Sequence, residues 1–145
     1  MFEVYQSVLL GLWLTLTIII VQAVVLVRAH RRHKGYKVGV IDPALGQSSF
    51  FFRANRTFWN SLENIVPLFG MGIIAMMAGY NPQKLSVVIW IYAVVRIIHM
   101  ILYYKIATDK NPSIRSLFWA TGLIANIYLM AVSYTHLTLP TILRV

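Results

Sequence analysis

Two groups of polar residues lie inside stretches that are otherwise apolar. In FFRANRTFWNSLENIVPLF, Arg56, Asn60, Glu63 and Asn64 follow one another at spacings of four, three and one. On a helix the first three share one stripe, with Asn64 beside it. In VRIIHMILYY, Arg96, His99 and Tyr103 are spaced three and four apart and form a second stripe. An ionisable group inside an apolar span costs roughly 3 kcal/mol on insertion scales, so such groups usually face a bundle interior or a water-filled site. Two stripes at similar depth point to one shared polar pocket. Each group also has a structural reading. Arg56 and Glu63 could bridge two turns at a capped helix start. Arg96 and His99 could make interhelical hydrogen bonds, or Arg96 could snorkel to the interface. Arg115, just after Asn111-Pro112, is either an anchor at a membrane border or a catalytic cation.

Other chemistries lack their residues. The chain has no Cys, which excludes disulfides, thiolate metal sites and a cysteine nucleophile. No Gly-rich phosphate loop, Ser/His/Asp triad spacing or zinc-type His/Glu motif occurs. His30 and His33 stand among arginines in a basic loop, with Asp42 the nearest carboxylate, so no metal is expected. Asn55-Arg56-Thr57 matches a glycosylation sequon but falls on a side expected to face the cytoplasm. Trp13, Trp59, Trp90 and Trp119 read as lipid-facing or core aromatics.

The elements that must position these stripes are membrane spans. Of 145 residues, 59 % are hydrophobic and only 12 % charged, too few charges for an ordinary soluble domain. About 20 apolar residues cross a bilayer as helix. Val4 to Val27 carries no charge and makes a first span. A second runs from about Arg53 to Tyr80, polar at its start, and Asn81-Pro82 marks the turn after it. Leu85 to Tyr104 forms a third span, and Lys110-Asn111-Pro112 separates it from a fourth at about Ser113 to Val132. The expected fold is all-α, an integral membrane four-helix bundle of up-down topology in a single domain, residues 1–131.

The formal charge is +9, from 13 basic and 4 acidic residues. Arg28, Arg31, Arg32, Lys34, Lys37, Arg53 and Arg56 surround the first loop, and Lys105, Lys110 and Arg115 the third. The positive-inside rule puts loops one and three in the cytoplasm and both termini on the opposite side. Base placed this way orients a membrane protein, and no nucleic acid is expected as a partner. Val132 to Thr141, VSYTHLTLPT, resembles the one-frame translation of a transposase-type sequencing adapter. It is Thr-rich and breaks the helical pattern, so residues 132–145 are expected to be a non-native tail.

The segment Phe52 to Pro67 resembles the second-helix signature of the MAPEG family, the membrane-associated proteins of eicosanoid and glutathione metabolism. The shared features are Arg56, Asn60 four residues on, Glu63 three further, then Asn64 and Pro67. Arg96, His99 and Tyr103 are similar to the third helix of its microsomal glutathione transferase branch. Arg115 falls where the family carries an Arg near the start of helix four. The resemblance covers about residues 5 to 131.

That resemblance implies a homotrimer with glutathione bound between subunits as co-substrate, near the cytoplasmic border. It implies that Arg56, Asn60, Glu63, Asn64, Arg96, His99 and Tyr103 hold glutathione. An Arg late in the first helix would join them: Arg28 is the candidate, and Arg31 or Arg32 could serve instead. Arg115 and Tyr103 would be the catalytic pair that stabilises the thiolate. Asn64 stands where the eicosanoid-synthesising branch carries Tyr, which points away from eicosanoid synthesis. The implied activity is a glutathione S-transferase that conjugates hydrophobic electrophiles and reduces lipid hydroperoxides. A non-catalytic lipid-ligand binding protein of the same family is the alternative.

Overall fold

A computed structural model describes residues 2–142. Its order is α1 (Gln6–Arg32), α2 (Phe50–Met77), α3 (Pro82–Lys105) and α4 (Ile114–Ile142), with no strand among the described residues. All four helices are long and apolar enough to cross a membrane. Their ends follow local chemistry. The Ser49 hydroxyl caps α2 by accepting from Phe52 N at 3.4 Å. Asn81 caps α3 by accepting from Lys84 N at 3.0 Å, with Pro82 in its first turn. Gly79, at φ 73°, closes α2. Tyr80 N bonds Ala75 O at 2.9 Å and Gly79 N bonds Met76 O at 3.1 Å, a left-handed termination that glycine tolerates without a Cβ clash. Pro67 lies inside α2 and has no N–H to give the Glu63 carbonyl.

Helices α2 and α3 form the centre. Each packs against all three others, while α1 and α4 do not touch among the described residues. The apolar core lies towards the α2–α3 turn. It joins Val8 and Leu12 of α1, Leu68 and Ala75 of α2, Leu85 and Ile89 of α3, and Leu129 of α4. At this end Tyr5 donates to the Tyr80 carbonyl at 2.7 Å. Gly11 lets α1 approach α3 closely, since a Cβ there would lie 2.6 Å from Ile89 Cγ2. Only 28 to 33 % of residues in each apolar window are buried within the chain, so most of the apolar surface is left for lipid or neighbouring subunits. The chain is an integral multi-pass membrane protein.

The fourth helix corrects one expectation. Val132 does not end it, and α4 continues to Ile142. Its threonines do not break the helix, because the Thr135 hydroxyl donates to Ala131 O at 2.9 Å and that of Thr138 to Tyr134 O at 3.1 Å. Val132 packs on the core and the Ser133 hydroxyl reaches Met71 O at 3.1 Å. The first three helices overlap their expected spans: α1 starts and ends later, α2 starts and ends earlier, and α3 extends beyond both ends. α1 runs on through Arg32, where cations complement the helix C-terminus.

Candidate functional site

The polar half of the bundle lies at the other end, where loop 1 (33–49) and loop 3 (106–113) meet the helices. On α3, Arg96 is only 3 % exposed. Its Nη2 donates to Asn60 Oδ1 and to Ser61 Oγ, both at 2.9 Å. One turn along, His99 is 2 % exposed and its ring centroid lies 5.0 Å from that of Tyr103. Arg115, 5 % exposed at the start of α4, lies with its guanidinium carbon 4.1 Å from the Tyr103 ring centroid. Its Nη2 donates to Thr108 O at 2.6 Å and its Nη1 to Gln47 Oε1 at 3.1 Å.

All of these groups but Arg96 and Ser61 border one cavity of about 410 Å³; those two line a small separate cleft between α1, α2 and α3. Asn60 from α2, His99 and Tyr103 from α3, and Arg115 and Trp119 from α4 line it, with Gln47 on loop 1 and Asp109 and Lys110 on loop 3. Several donors around it have no partner. Arg96 Nε and Nη1, His99 Nδ1 and Arg115 Nε are buried and unpaired in the chain, where an unmet polar group costs about 1–3 kcal/mol. The cavity therefore joins a cationic side chain from α4, an imidazole and a phenol from α3, an amide from α2 and an acid and a base from loop 3. Such a lining suits a small ligand bearing carboxylates and an ammonium group. Among the described residues, no three His, Cys, Asp or Glu side chains cluster to hold a metal ion.

Of the residues expected from sequence, Asn60, His99, Tyr103 and Arg115 come together around the cavity, and Arg96 joins them through its bond to Asn60. Asn64 lies behind them as a tie. Its Nδ2 donates to Asn60 O at 2.8 Å, and its own carbonyl accepts from Asn126 Nδ2 at 3.1 Å. Arg56 and Glu63 are exposed on α2 and line no part of the cavity within one chain. Arg28 is exposed as well and borders a separate groove of about 350 Å³ with Arg32, Ser49 and Phe50. Gln47, Ser61 and Thr108 were not expected. Ser61 follows Asn60 directly in the motif and could have been read from it. Gln47 and Thr108 are loop residues whose contacts are long-range or made by the backbone, and no local pattern marks them.

No curated protein and no solved structure matches the chain. The sequence model of the MAPEG family matches residues 7–135. With that match spanning all four helices, the chain belongs to the MAPEG family.

Proposed function

We propose that this protein is a membrane-bound glutathione S-transferase acting on hydrophobic electrophiles. The observation that carries the reading is the single cavity that joins Asn60, His99, Tyr103 and Arg115. Its volume lies in the range of small-molecule sites. Glutathione has two carboxylates, an ammonium group and a thiol. The planar fork of Arg115 suits carboxylate or thiolate, Asn60 and His99 add polar contacts, and Arg96, bonded to Asn60, would add positive field from behind it. Arg56 and Glu63, exposed on α2, would complete the cradle from a neighbouring subunit in a homotrimer, with Glu63 pairing the ammonium. Arg28 would reach the ligand across the same boundary.

In the reaction the thiol loses its proton, the thiolate attacks the electrophilic carbon, and the leaving group departs with its bonding pair. Arg115, stacked on Tyr103, would stabilise the thiolate, and the Tyr103 hydroxyl could donate to it. Thiolate stabilisation alone does little. A thiol of pKa about 8.5 is roughly 3 % ionised at pH 7, and lowering the pKa to about 6.5 raises that roughly 25-fold. Over those two units nucleophilicity falls roughly eightfold, which leaves about a threefold net gain. Most of the acceleration must come from holding an apolar electrophile beside the sulfur. A thiol site at the edge of a lipid-facing bundle does that. The same thiolate can reduce a lipid hydroperoxide to the alcohol and water, with two glutathione molecules oxidised to the disulfide.

Loops one and three, around which most of the base clusters, would face the cytoplasm, where glutathione is available. Calorimetric titration of glutathione into the detergent-solubilised protein, with an aryl halide turnover assay, tests the proposal. Conjugate formation with saturable binding is expected. Absence of both overturns it. The family also contains non-catalytic members, and a second reading draws on the position of Arg28, Arg56 and Glu63 off the cavity. In that reading the chain binds a lipid ligand or serves as a scaffold, and glutathione binding without turnover selects it.

A further inference from the structure

Gln47 is held at both ends. Its main-chain oxygen accepts from Nη1 of Arg53, a buried residue of α2, and the same nitrogen reaches Ser48 O at 3.1 Å. Nη2 of Arg53 reaches Tyr104 O at the end of α3 at 3.3 Å. Loop 1 is thereby fastened to α2 and α3 just before Ser49 caps α2. From this fixed point the Gln47 side chain crosses to α4, where Oε1 accepts from Arg115 Nη1 at 3.1 Å. Among the described residues, Gln47 is the one loop 1 residue that lines the cavity.

We infer that Gln47 is a positioning residue for Arg115, and that its lack of charge preserves the positive field Arg115 presents to a bound thiol. The inference rests on the reading of the cavity as a thiol site. Arg115 is fixed at three points: by the Gln47 amide oxygen, by the Thr108 carbonyl and by the Tyr103 ring beneath its plane. Both oxygens belong to neutral groups. They orient the guanidinium without cancelling its charge, and they leave the buried Nε–H without a partner within the chain. A carboxylate in place of the amide would form a charge-assisted pair with Nη1 and take up the field that would otherwise favour thiolate. The other charged or titratable groups lining the cavity are Asp109 and Lys110 of loop 3 and His99 and Tyr103 of α3. The substitutions below leave all four unchanged.

The test compares wild type with Gln47→Glu, Gln47→Met and Gln47→Ala in the full-length, detergent-solubilised protein. Gln47→Glu retains size and adds charge. It is expected to raise the apparent thiol pKa in the pH–rate profile by about one unit, which lowers turnover on the acid side about tenfold, with glutathione affinity within about twofold. Gln47→Met retains length and removes the acceptor. It is expected to lower kcat roughly tenfold with KM for glutathione little changed, as a lost bond to a charged group should. An unshifted pH profile in Gln47→Glu together with wild-type kcat in Gln47→Met overturns the inference.

A third measurement needs no turnover. An arginine-specific dicarbonyl reagent, read by peptide mass spectrometry, should modify Arg115 about tenfold faster in Gln47→Ala than in wild type, with exposed Arg31 as the internal reference. Equal labelling overturns the hold of Gln47 on Arg115 even if the wild type proves inactive, so failure of the transferase reading and failure of this inference give different results.

Discussion

Arg96 Nη2 lies 2.9 Å from Asn60 Oδ1, 36 residues away in sequence, and this contact joins the polar stripe of α2 to that of α3. The guanidinium is buried, so the bond has consequences for folding that the exposed arginines lack. Asn60→Leu removes an acceptor and leaves a buried cation short of partners, which should destabilise by about 3 kcal/mol. Arg96→Met removes the cation and leaves two neutral oxygens unmet, and should cost about 2 kcal/mol. Denaturation midpoints in detergent should therefore rank wild type above Arg96→Met, and Arg96→Met above Asn60→Leu.

Arg115 should act on turnover more than on binding. Arg115→Ala is expected to lower kcat about 100-fold and to weaken glutathione about threefold. Arg115→Lys should not restore activity, because an ammonium can neither stack on Tyr103 nor span Gln47 and Thr108 at once. Steady-state kinetics beside calorimetric affinity separates the two effects.

Arg56 and Glu63 are exposed, so substitution should spare the protomer and harm the ligand site. Arg56→Ala and Glu63→Gln should each change stability by less than about 0.5 kcal/mol. Each should weaken glutathione about tenfold, the loss of one charge-assisted contact. Wild-type affinity in both variants would remove these residues from the cradle.

The close approach of α1 and α3 makes Gly11 sensitive. A Cβ there meets Ile89 Cγ2 at 2.6 Å, and a β-branched side chain gives way poorly. Gly11→Ala should cost about 1–3 kcal/mol by overpacking. Combined with Ile89→Ala, which removes the obstructing methyl group, it should cost less than the sum of the two single changes, as a double-mutant cycle of thermal midpoints would show.

Residues 132–145 are proposed to be adapter-derived. Resequencing the source DNA should then give different codons after Ala131, and an unchanged reading frame overturns the proposal. The family match runs to residue 135, four residues into the proposed tail.

The spans were legible because hydrophobic runs and turn residues are local signals. The stripes were legible because helical spacing fixes which residues share a face. Spacing does not say whether that face turns inward. Asn60 turns to the cavity, whereas Arg56 and Glu63 on the same stripe stay exposed. Arg28 was placed by analogy, and within one chain it lies in another groove. Gln47 could not be read at all, since its significance depends on Arg115, far away in sequence. The length of α4 was misread because threonine is a poor helix former in isolation, although its hydroxyl can bond back to the preceding turn.

Pro67 gives the outward flank of α2 an unusual endowment. With no amide hydrogen at position 67, the main-chain oxygen of Glu63 lacks its customary helical donor. That oxygen belongs to the same residue as an exposed carboxylate. Pro67 thus leaves one turn of α2 a main-chain bond short beside Glu63, a place along that span where bending costs the helix least.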